Sequence, residues 1–562
     1  MTSRLRKLAA AVTACLLTFS AAGCATIPHS GQIGTVAVED SDNDVQSRTD
    51  PDGPAPGASP ASIVRGFLAA GSSSASSFAV ARSFLTDDFA GEWSPLKSVS
   101  IVESGLSLES LTASVTTDSR SVSFTVPVQA SLDSAHVYRD SPSGTETKLK
   151  FSLRQVNGEW RISDAPDGIV LSEANFNRLF QAYPLYFFTQ DYSYLVPDVR
   201  WFVRSNSTLT EVARQLLRGP ADNLRGAVIS AVPEGATLEP SVVTVEGGTV
   251  DVGLSQEAGD LDKGTSKRLY SQISQTLRAN TSISDVRVQT PQSNITSGSD
   301  VSADLPVDAP AVVVSEGKIA EVRGNSFEPV PNSPKVSDKV LPAQSYDGNT
   351  YYYTNENRKQ VERFSAEKDV ETLITGKDFV GVSVDRFEWV YTAEAKSAEI
   401  RAVGKNGELV KMAVPFAKDR TIKRIAVSRE GSRLAVLTSA ADGTRIDVVG
   451  IVRSRGGKPN HLTAGAPLAV GQKFDQVADF SWAGGSYLAV LSADDASAGA
   501  YRVWVGGPSV GLGLISGGQT ISAAGDLGSM RVGAESGDVY TYTSGTWQRI
   551  VGAKAWNPTY PG

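Results

Sequence analysis

The sequence predicts a multidomain protein, with two α+β domains followed by a β-propeller of five to six blades. Three observations lead there. Residues 59–170 place helical periodicities ahead of alternating strands that meet at an Asn-Gly turn, and residues 183–292 alternate helices with short strands. From about residue 311 a strand, a polar turn and an apolar strand recur at intervals of roughly 40 to 55 residues, which brackets a four-stranded propeller blade. A chain of 562 residues is long enough to bury several cores.

Ahead of these domains, Arg4, Arg6 and Lys7 precede an apolar run to residue 19 and the small residues Ala21-Ala22-Gly23 before Cys24. A basic end, a greasy middle and small residues at a cut site make an export signal. The stretch 8–23 is short for about 30 Å of hydrocarbon, which takes about 20 residues, so it is expected to be removed. Cys24 at the cut resembles a bacterial lipobox, with Ala21 standing where Leu is usual. That resemblance implies a signal peptide over 1–23, cleavage after Gly23, a diacylglycerol on the Cys24 thiol and N-acylation of the new terminus, palmitate being the expected kind of chain. One acyl chain holds a protein marginally and two or three hold it firmly, so the mature chain is expected to be lipid-anchored at the cell membrane, on its extracytoplasmic face. The other cysteine, Cys15, lies in the removed segment, which leaves no internal disulfide to form.

The chain carries 53 Lys and Arg against 61 Asp and Glu, a formal charge of −8, and losing three basic leader residues makes it more acidic. No basic stripe appears, so nucleic acid is not an expected partner. Residues 24–58 are rich in Gly, Ser, Asp and Pro and read as a flexible tether. Within it Asp40, Asp42 and Asp44 alternate as in a calcium loop, but Val45 and Pro51 stand where Gly and Glu are required.

The first domain (59–170) opens with a helix that has Ser59 as N-cap, Pro60 in its first turn, Ile63, Val64, Phe67 and Leu68 on one face, and Gly71 as its stop. A second helix carries Phe78, Ala81, Phe84 and Leu85. Strands follow, the clearest alternating Leu149, Phe151 and Leu153 with polar residues before the Asn157-Gly158 turn and the return strand 159–162. This order is similar to the cone-shaped rolls of the nuclear-transport-factor (NTF2-like) class. The second domain (183–292) has expected strands at 199–203, 242–245, 249–252 and 285–288. A helix with a Thr208/Glu211 capping box ends at Gly219-Pro220, and a later one places Leu269, Ile273 and Leu277 on one stripe. The pieces Leu195-Val196-Pro197, Leu216 to Pro220, Val232-Pro233-Glu234-Gly235-Ala236 and Thr276-Leu277 together resemble the GerMN domain of spore-germination and envelope lipoproteins.

In the propeller region (311–562) the recurring unit begins at Tyr346, Ser383, Ile425 and Phe480, with a degenerate copy over 521–532. Residues 312–330 read as an outer strand pair with no inner strand before it, so a sixth blade would be closed by the two ends of the region. The glycine-dense stretch 506–518 reads as a loop between blades. Tyr351, Tyr352, Tyr353 and Trp482 are candidates to line a propeller mouth, although aromatics in blades more often pack between sheets.

No catalytic, metal or cofactor constellation emerges. His29, His136 and His461 are scattered and lack ligand neighbours. No nucleophile elbow, phosphate loop or dinucleotide fingerprint occurs. Ser94-Pro95-Leu96-Lys97 has the Ser-x-x-Lys spacing of an acyl enzyme without its companion motifs, and reads as a turn before strand 98–102.

Signal, lipobox, tether, α+β domain, GerMN-like domain and propeller, ending in Trp547-Gln548-Arg549-Ile550 and Pro558-Thr559-Tyr560-Pro561-Gly562, resemble the LpqB family of actinobacterial lipoproteins along nearly the whole chain. The resemblance implies a non-enzymatic partner of the sensor histidine kinase MtrB of the MtrA-MtrB two-component system. It would contact the kinase's extracytoplasmic region and thereby influence cell-wall homeostasis and division. The alternatives are an envelope module that binds peptidoglycan or another cell-wall glycan and, further off, an extracellular propeller enzyme.

Overall fold

The structure is a computed structural model that describes residues 51–561, apart from 75–76, 103–115, 119, 260, 280–281, 296, 299–300 and 494–496. Gly23, Cys24, His29 and the Asp40, Asp42, Asp44 cluster lie outside the described residues.

The first helix, Pro60–Ala70, starts where the sequence places it, with the Ser59 hydroxyl accepting the Ser62 N–H and Ile63, Val64, Phe67 and Leu68 buried. Its apolar face and the short helices Ala79–Ser83 and Asp87–Glu92 pack on two four-stranded sheets. One has the order Tyr138–Asp140, Ala130–Leu132, Val99–Val102, Ile169–Ser172, and the other Thr116–Asp118, Ser121–Pro127, Glu146–Val156, Glu159–Asp164. The turn of the last hairpin is Asn157-Gly158, with φ of 53° and 84°, the positive pair that a two-residue turn needs to follow strand twist. Lys97 pairs with Asp167 at 2.8 Å, so the Ser-x-x-Lys string is a surface turn ahead of Val99–Val102.

The second domain departs from expectation at its entry. The helix Glu173–Leu179 runs straight into a strand, Phe180–Phe188, which pairs along its full length with Leu195–Val203. Residues 180–188 are apolar nearly throughout, because one face of the strand is buried and the other half-buried, so no polar alternation marks the strand. The capping box is absent too. The N-cap is Ser207, the Thr208 hydroxyl accepts the Ser205 N–H instead, and Glu211 pairs with Arg214. A four-stranded sheet follows, in the order Thr244–Glu246, Thr249–Gly253, Asp285–Gln289, Asn294–Ile295. Its central strands are parallel and are connected through the helix Lys263–Leu277, which buries Leu269, Ile273 and Leu277.

From residue 312 the described residues form six sheets of four strands in propeller succession, one of them with an added fifth strand. The innermost strands of five are Ala343–Gln344, Ser383–Val384, Thr421–Val427, Val477–Trp482 and Gly518–Ser522. The sixth inner strand is Ala555–Thr559, from the end of the chain. It pairs antiparallel with Val312–Ser315, so the first blade takes three strands from its beginning and one from its end. The Asn557 amide fastens it further by donating to the carbonyls of Asp338 and Val340. The glycine-dense stretch is not a loop. Ser509–Ser516 is the outermost strand of the fifth blade, in which Leu512 and Ile515 are buried while the glycine positions face solvent and need no side-chain bulk. Tyr351, Tyr352 and Tyr353 are buried between sheets and line no mouth.

Deleting residues 555–562 removes the inner strand of the first blade and leaves the Val312–Ser315 edge unpaired. The expected outcome is a fall of about 10 °C or more in the melting transition of the whole propeller rather than local fraying, measured by calorimetry on the full chain and its truncation.

Candidate functional site

Two regions gather polar chemistry that local sequence does not demand: the joint where the first two domains meet the propeller, and the propeller axis with its mouth.

The joint is organised by Leu195–Val203. Successive side chains of a strand face opposite ways, so Asp198 and Arg200 share one face and Trp201 takes the other. Asp198 and Arg200 are buried and joined in a fork, with nitrogen-oxygen distances of 2.6 and 3.2 Å. The Asp198 carboxylate also accepts the Ala221 N–H, while Arg200 donates to the carbonyls of Ala135 and Gly219. One ion pair therefore ties together a loop of the first domain, a helix end and the segment beyond it. Trp201 lies against Phe176 and Tyr138 of the first domain, and its indole N–H donates to the Gly506 carbonyl of the fifth blade at 2.8 Å.

His136 belongs to the same joint. Its Nδ1 donates to the Trp201 carbonyl, its ring stacks on Phe202 with centroids 4.6 Å apart, and burial lowers its pKa, so it is a neutral structural imidazole. His461 is exposed on an outer strand of the fourth blade, far from this role. Among the described residues no group of three His, Cys, Asp or Glu is placed to hold a metal, and no helix is long and apolar enough to cross a membrane.

Three further contacts key the domains to the propeller. Both carboxylate oxygens of Asp191 accept from Nη2 of Arg386, at 2.7 and 2.8 Å, and Arg386 also lies over the rings of Phe387 and Tyr194. Burial would raise the Asp191 carboxyl, but hydrogen bonds from Thr189 and Arg386 and the Arg386 charge outweigh it and hold the pKa at about 2. The Asn223 carbonyl accepts the Gly450 N–H and the Thr463 hydroxyl, each at 2.8 Å. A Cβ at position 450 would stand 2.6 Å from the Ala227 methyl, so only glycine admits this approach. Asp140 of the first domain accepts the N–H groups of Gly471 and Gln472. Burial pushes its pKa up to about 6 despite those two bonds.

The second region begins with the turns that link the first two strands of each blade. In three of them a glycine takes the left-handed position, Gly348, Gly431 and Gly484 at φ of 75°, 81° and 91°, while Glu388 takes it at 60° in the third blade. The side chain that opens the turn satisfies its amides. Asp385 accepts the N–H groups of Phe387 and Trp389, and the Ser345 and Ser428 hydroxyls accept those of Thr350 and Arg433. Asp385 also binds Arg453 and the Tyr391 hydroxyl in a fully buried network, and burial first, then the Asp385 charge, raises the Tyr391 pKa.

The turns of blades four, five and six, together with the connecting segment at 303–307 and Tyr560, wall a cleft of about 700 Å³ at the mouth of the axis. Inside it, residues of all six innermost strands surround a cavity of about 30 Å³. Of the aromatic candidates only Trp482 reaches this cavity. Its N–H is occupied by the Ala426 carbonyl, and the Arg433 guanidinium stacks on its ring at 4.6 Å. Arg433 is in turn paired with Glu430 at 2.8 Å. Arg433 gives no signal in the sequence, because ordinary turn residues flank it, and its meeting with Trp482 depends on the packing of the fifth blade on the fourth.

Two measurements probe the joint. Arg386→Ala leaves the half-buried Asp191 carboxylate without its cation, though still hydrogen-bonded by Thr189 and Ser193, and is expected to cost about 2 kcal/mol in denaturant unfolding, above an exposed ion pair. Asp140→Asn should act in the opposite sense. The folded state holds the Asp140 proton to higher pH than the unfolded chain, whose carboxyl titrates near about 3.9. The cost of ionising it is therefore absent below about pH 4 and complete above about pH 6. The variant should melt higher than the parent at pH 7, and the difference should vanish as the pH falls to 4.

Comparison with known proteins agrees with this architecture. A family model described as the N-terminal domain of lipoprotein LpqB matches residues 53–177, and one for the lipoprotein LpqB beta-propeller domain matches residues 317–561. A third, described by sporulation and spore germination, matches residues 184–290. Lipoprotein LpqB of Thermobifida fusca is 27% identical across 100% of both chains, and that of Cutibacterium acnes 25% identical across 86% of each. Among solved structures, TolB from Acinetobacter baumannii is similar over 45% of this chain and 66% of its own, with 13% identity and a TM-score of 0.35. Since the two LpqB domain models together span more than half of the sequence and a relative of that name aligns from end to end, the chain belongs to the LpqB family of lipoproteins.

Proposed function

We propose that this protein is held on the extracytoplasmic face of the cell membrane by lipid on Cys24, and that it acts without catalysis by presenting its three-domain body to the extracytoplasmic region of the sensor kinase MtrB, adjusting that kinase's signalling and with it cell-wall homeostasis and division. The observation that carries the reading is the combination of an acylatable cysteine after an export signal with a body whose domains are keyed together by buried polar contacts. The family name, lipoprotein, supports the anchor.

The physical logic is one of proximity. Two or three acyl chains, at about 0.8 kcal/mol per buried methylene, keep the protein on the membrane. It then meets a membrane kinase by diffusion in two dimensions, where effective concentration is high and modest affinity suffices. A body with few internal degrees of freedom loses little on docking, so surface contacts are not spent on ordering it.

The test compares Cys24→Ala, the native chain, and the mature domains carried on an unrelated transmembrane helix, in cells lacking the endogenous protein. Phosphorylation of the response regulator should be restored by the native and helix-tethered forms and not by Cys24→Ala, which should also lose incorporated fatty acid. Full restoration by trace amounts of unanchored protein would indicate turnover of a diffusible molecule and overturn the reading.

A further inference from the structure

The cavity on the propeller axis has a donor set that nothing in the protein uses. Its lining includes Arg424 from the fourth blade, Ser481 from the fifth, Ser522 from the sixth and Thr559 from the strand that closes the first. The Nη1 of Arg424 and the hydroxyls of Ser481, Ser522 and Thr559 are all buried without a hydrogen-bond partner among the described residues. Ser522 is 3% and Thr559 6% exposed, and the Arg424 side chain 13%, so bulk water does not reach them freely. Leaving such a group unsatisfied is costly, and four lining a single small space indicate an occupant.

Charge and size narrow its chemistry. Two guanidinium groups, Arg424 and Arg429, line the cavity, and behind them stand Asp479 against Arg424 and the Arg433–Glu430 pair against Trp482. Arg433 is paired with Glu430, and Arg424 turns its Nε to Asp479 at 3.2 Å while its Nη1 is left over. Arg429, buried between the cavity and the mouth cleft, donates among the described residues only to main-chain carbonyls, at Ala523 and Pro561. Among the described residues one positive charge therefore has no paired carboxylate, which disfavours a cation. The three hydroxyls and Arg424 supply hydrogens, as an anion requires. A space of about 30 Å³ holds one or two water-sized spheres, which excludes sulfate, phosphate and any carboxylate metabolite.

We propose that the axial cavity is a binding site for one small monovalent anion of halide size, held by Arg424, Ser481, Ser522 and Thr559. Four blades contribute its ligands, and one of these lies on the closing strand. The bound ion is thus a fastener of the ring, and propeller stability is linked to halide concentration by mass action.

The experiment uses the full mature chain. Crystals grown in sodium bromide should show an anomalous peak in the cavity within about 3.5 Å of the Ser522 and Thr559 hydroxyls. In solution the melting temperature should rise by about 3 to 5 °C per tenfold increase in chloride above the dissociation constant, compared with gluconate at equal ionic strength. Thr559→Val and, separately, Ser481→Ala should abolish or weaken both effects. If one variant does not fold, the other and the native protein still decide. Two water peaks with no anomalous signal, identical melting in chloride and gluconate, or bromide seen only at molar concentration without a melting shift would each overturn the proposal.

Discussion

Antiparallel pairing of Val312–Ser315 with Ala555–Thr559 is the constraint on which the remainder of the molecule rests. A propeller blade buries both faces against its neighbours, so an open ring would expose two sheet faces at once. Only a strand from the far end of the chain completes the first blade, and its contacts with Gly518–Ser522 and Arg531–Ala534 on the other side seal the last. Every axial feature inherits from this closure. The six inner strands converge, their turns gather on one mouth, and the arginines of the fourth blade come to face hydroxyls of the fifth, sixth and first.

The first two domains use that rigid frame through a few polar keys set in apolar surroundings. The Asp198–Arg200 fork illustrates the balance. Burying two charges costs several kcal/mol each, and their attraction offsets this only where the remaining hydrogens and lone pairs also find partners. Ala221, Ala135 and Gly219 supply those partners, so the fork specifies one arrangement of three segments more than it adds stability. Trp201 adds the apolar counterpart by bridging the first domain's core and the fifth blade with one side chain. For a lipid-anchored protein this matters mechanically, since a body that keeps its domain geometry presents a constant surface to whatever meets it at the membrane.

Much of the fold was legible because local rules and tertiary demands agreed. Ser59 and Pro60 open a helix, Asn157-Gly158 turns a hairpin, and Leu269, Ile273 and Leu277 form a buried stripe as their spacing requires. Where one residue type serves two purposes, the reading failed. Residues 180–188 have one face buried and the other half-buried, and they show no polar period. Glycines at 506–518 suggest a loop, whereas an outer blade strand tolerates them. Thr208 and Glu211 match a capping box, yet Ser207 takes the cap because the Thr208 hydroxyl is claimed by the chain entering from Val203 and Ser205.

The sequence by itself determined the order of domains, the helices with strong caps and stripes, and the blade period, and it is the source of the proposal that Cys24 carries the anchor. All of these are written in contiguous residues and arise from backbone geometry and apolar spacing. Tertiary structure alone decided which strand closes the ring, how Asp191 finds Arg386 and Asp140 finds Gly471, and that Arg424, Ser481, Ser522 and Thr559 meet on one axis. Those pairings join residues from tens to hundreds of positions apart. No local pattern encodes them, because their energy appears only once closure of the ring has brought the groups out of water and into reach of one another.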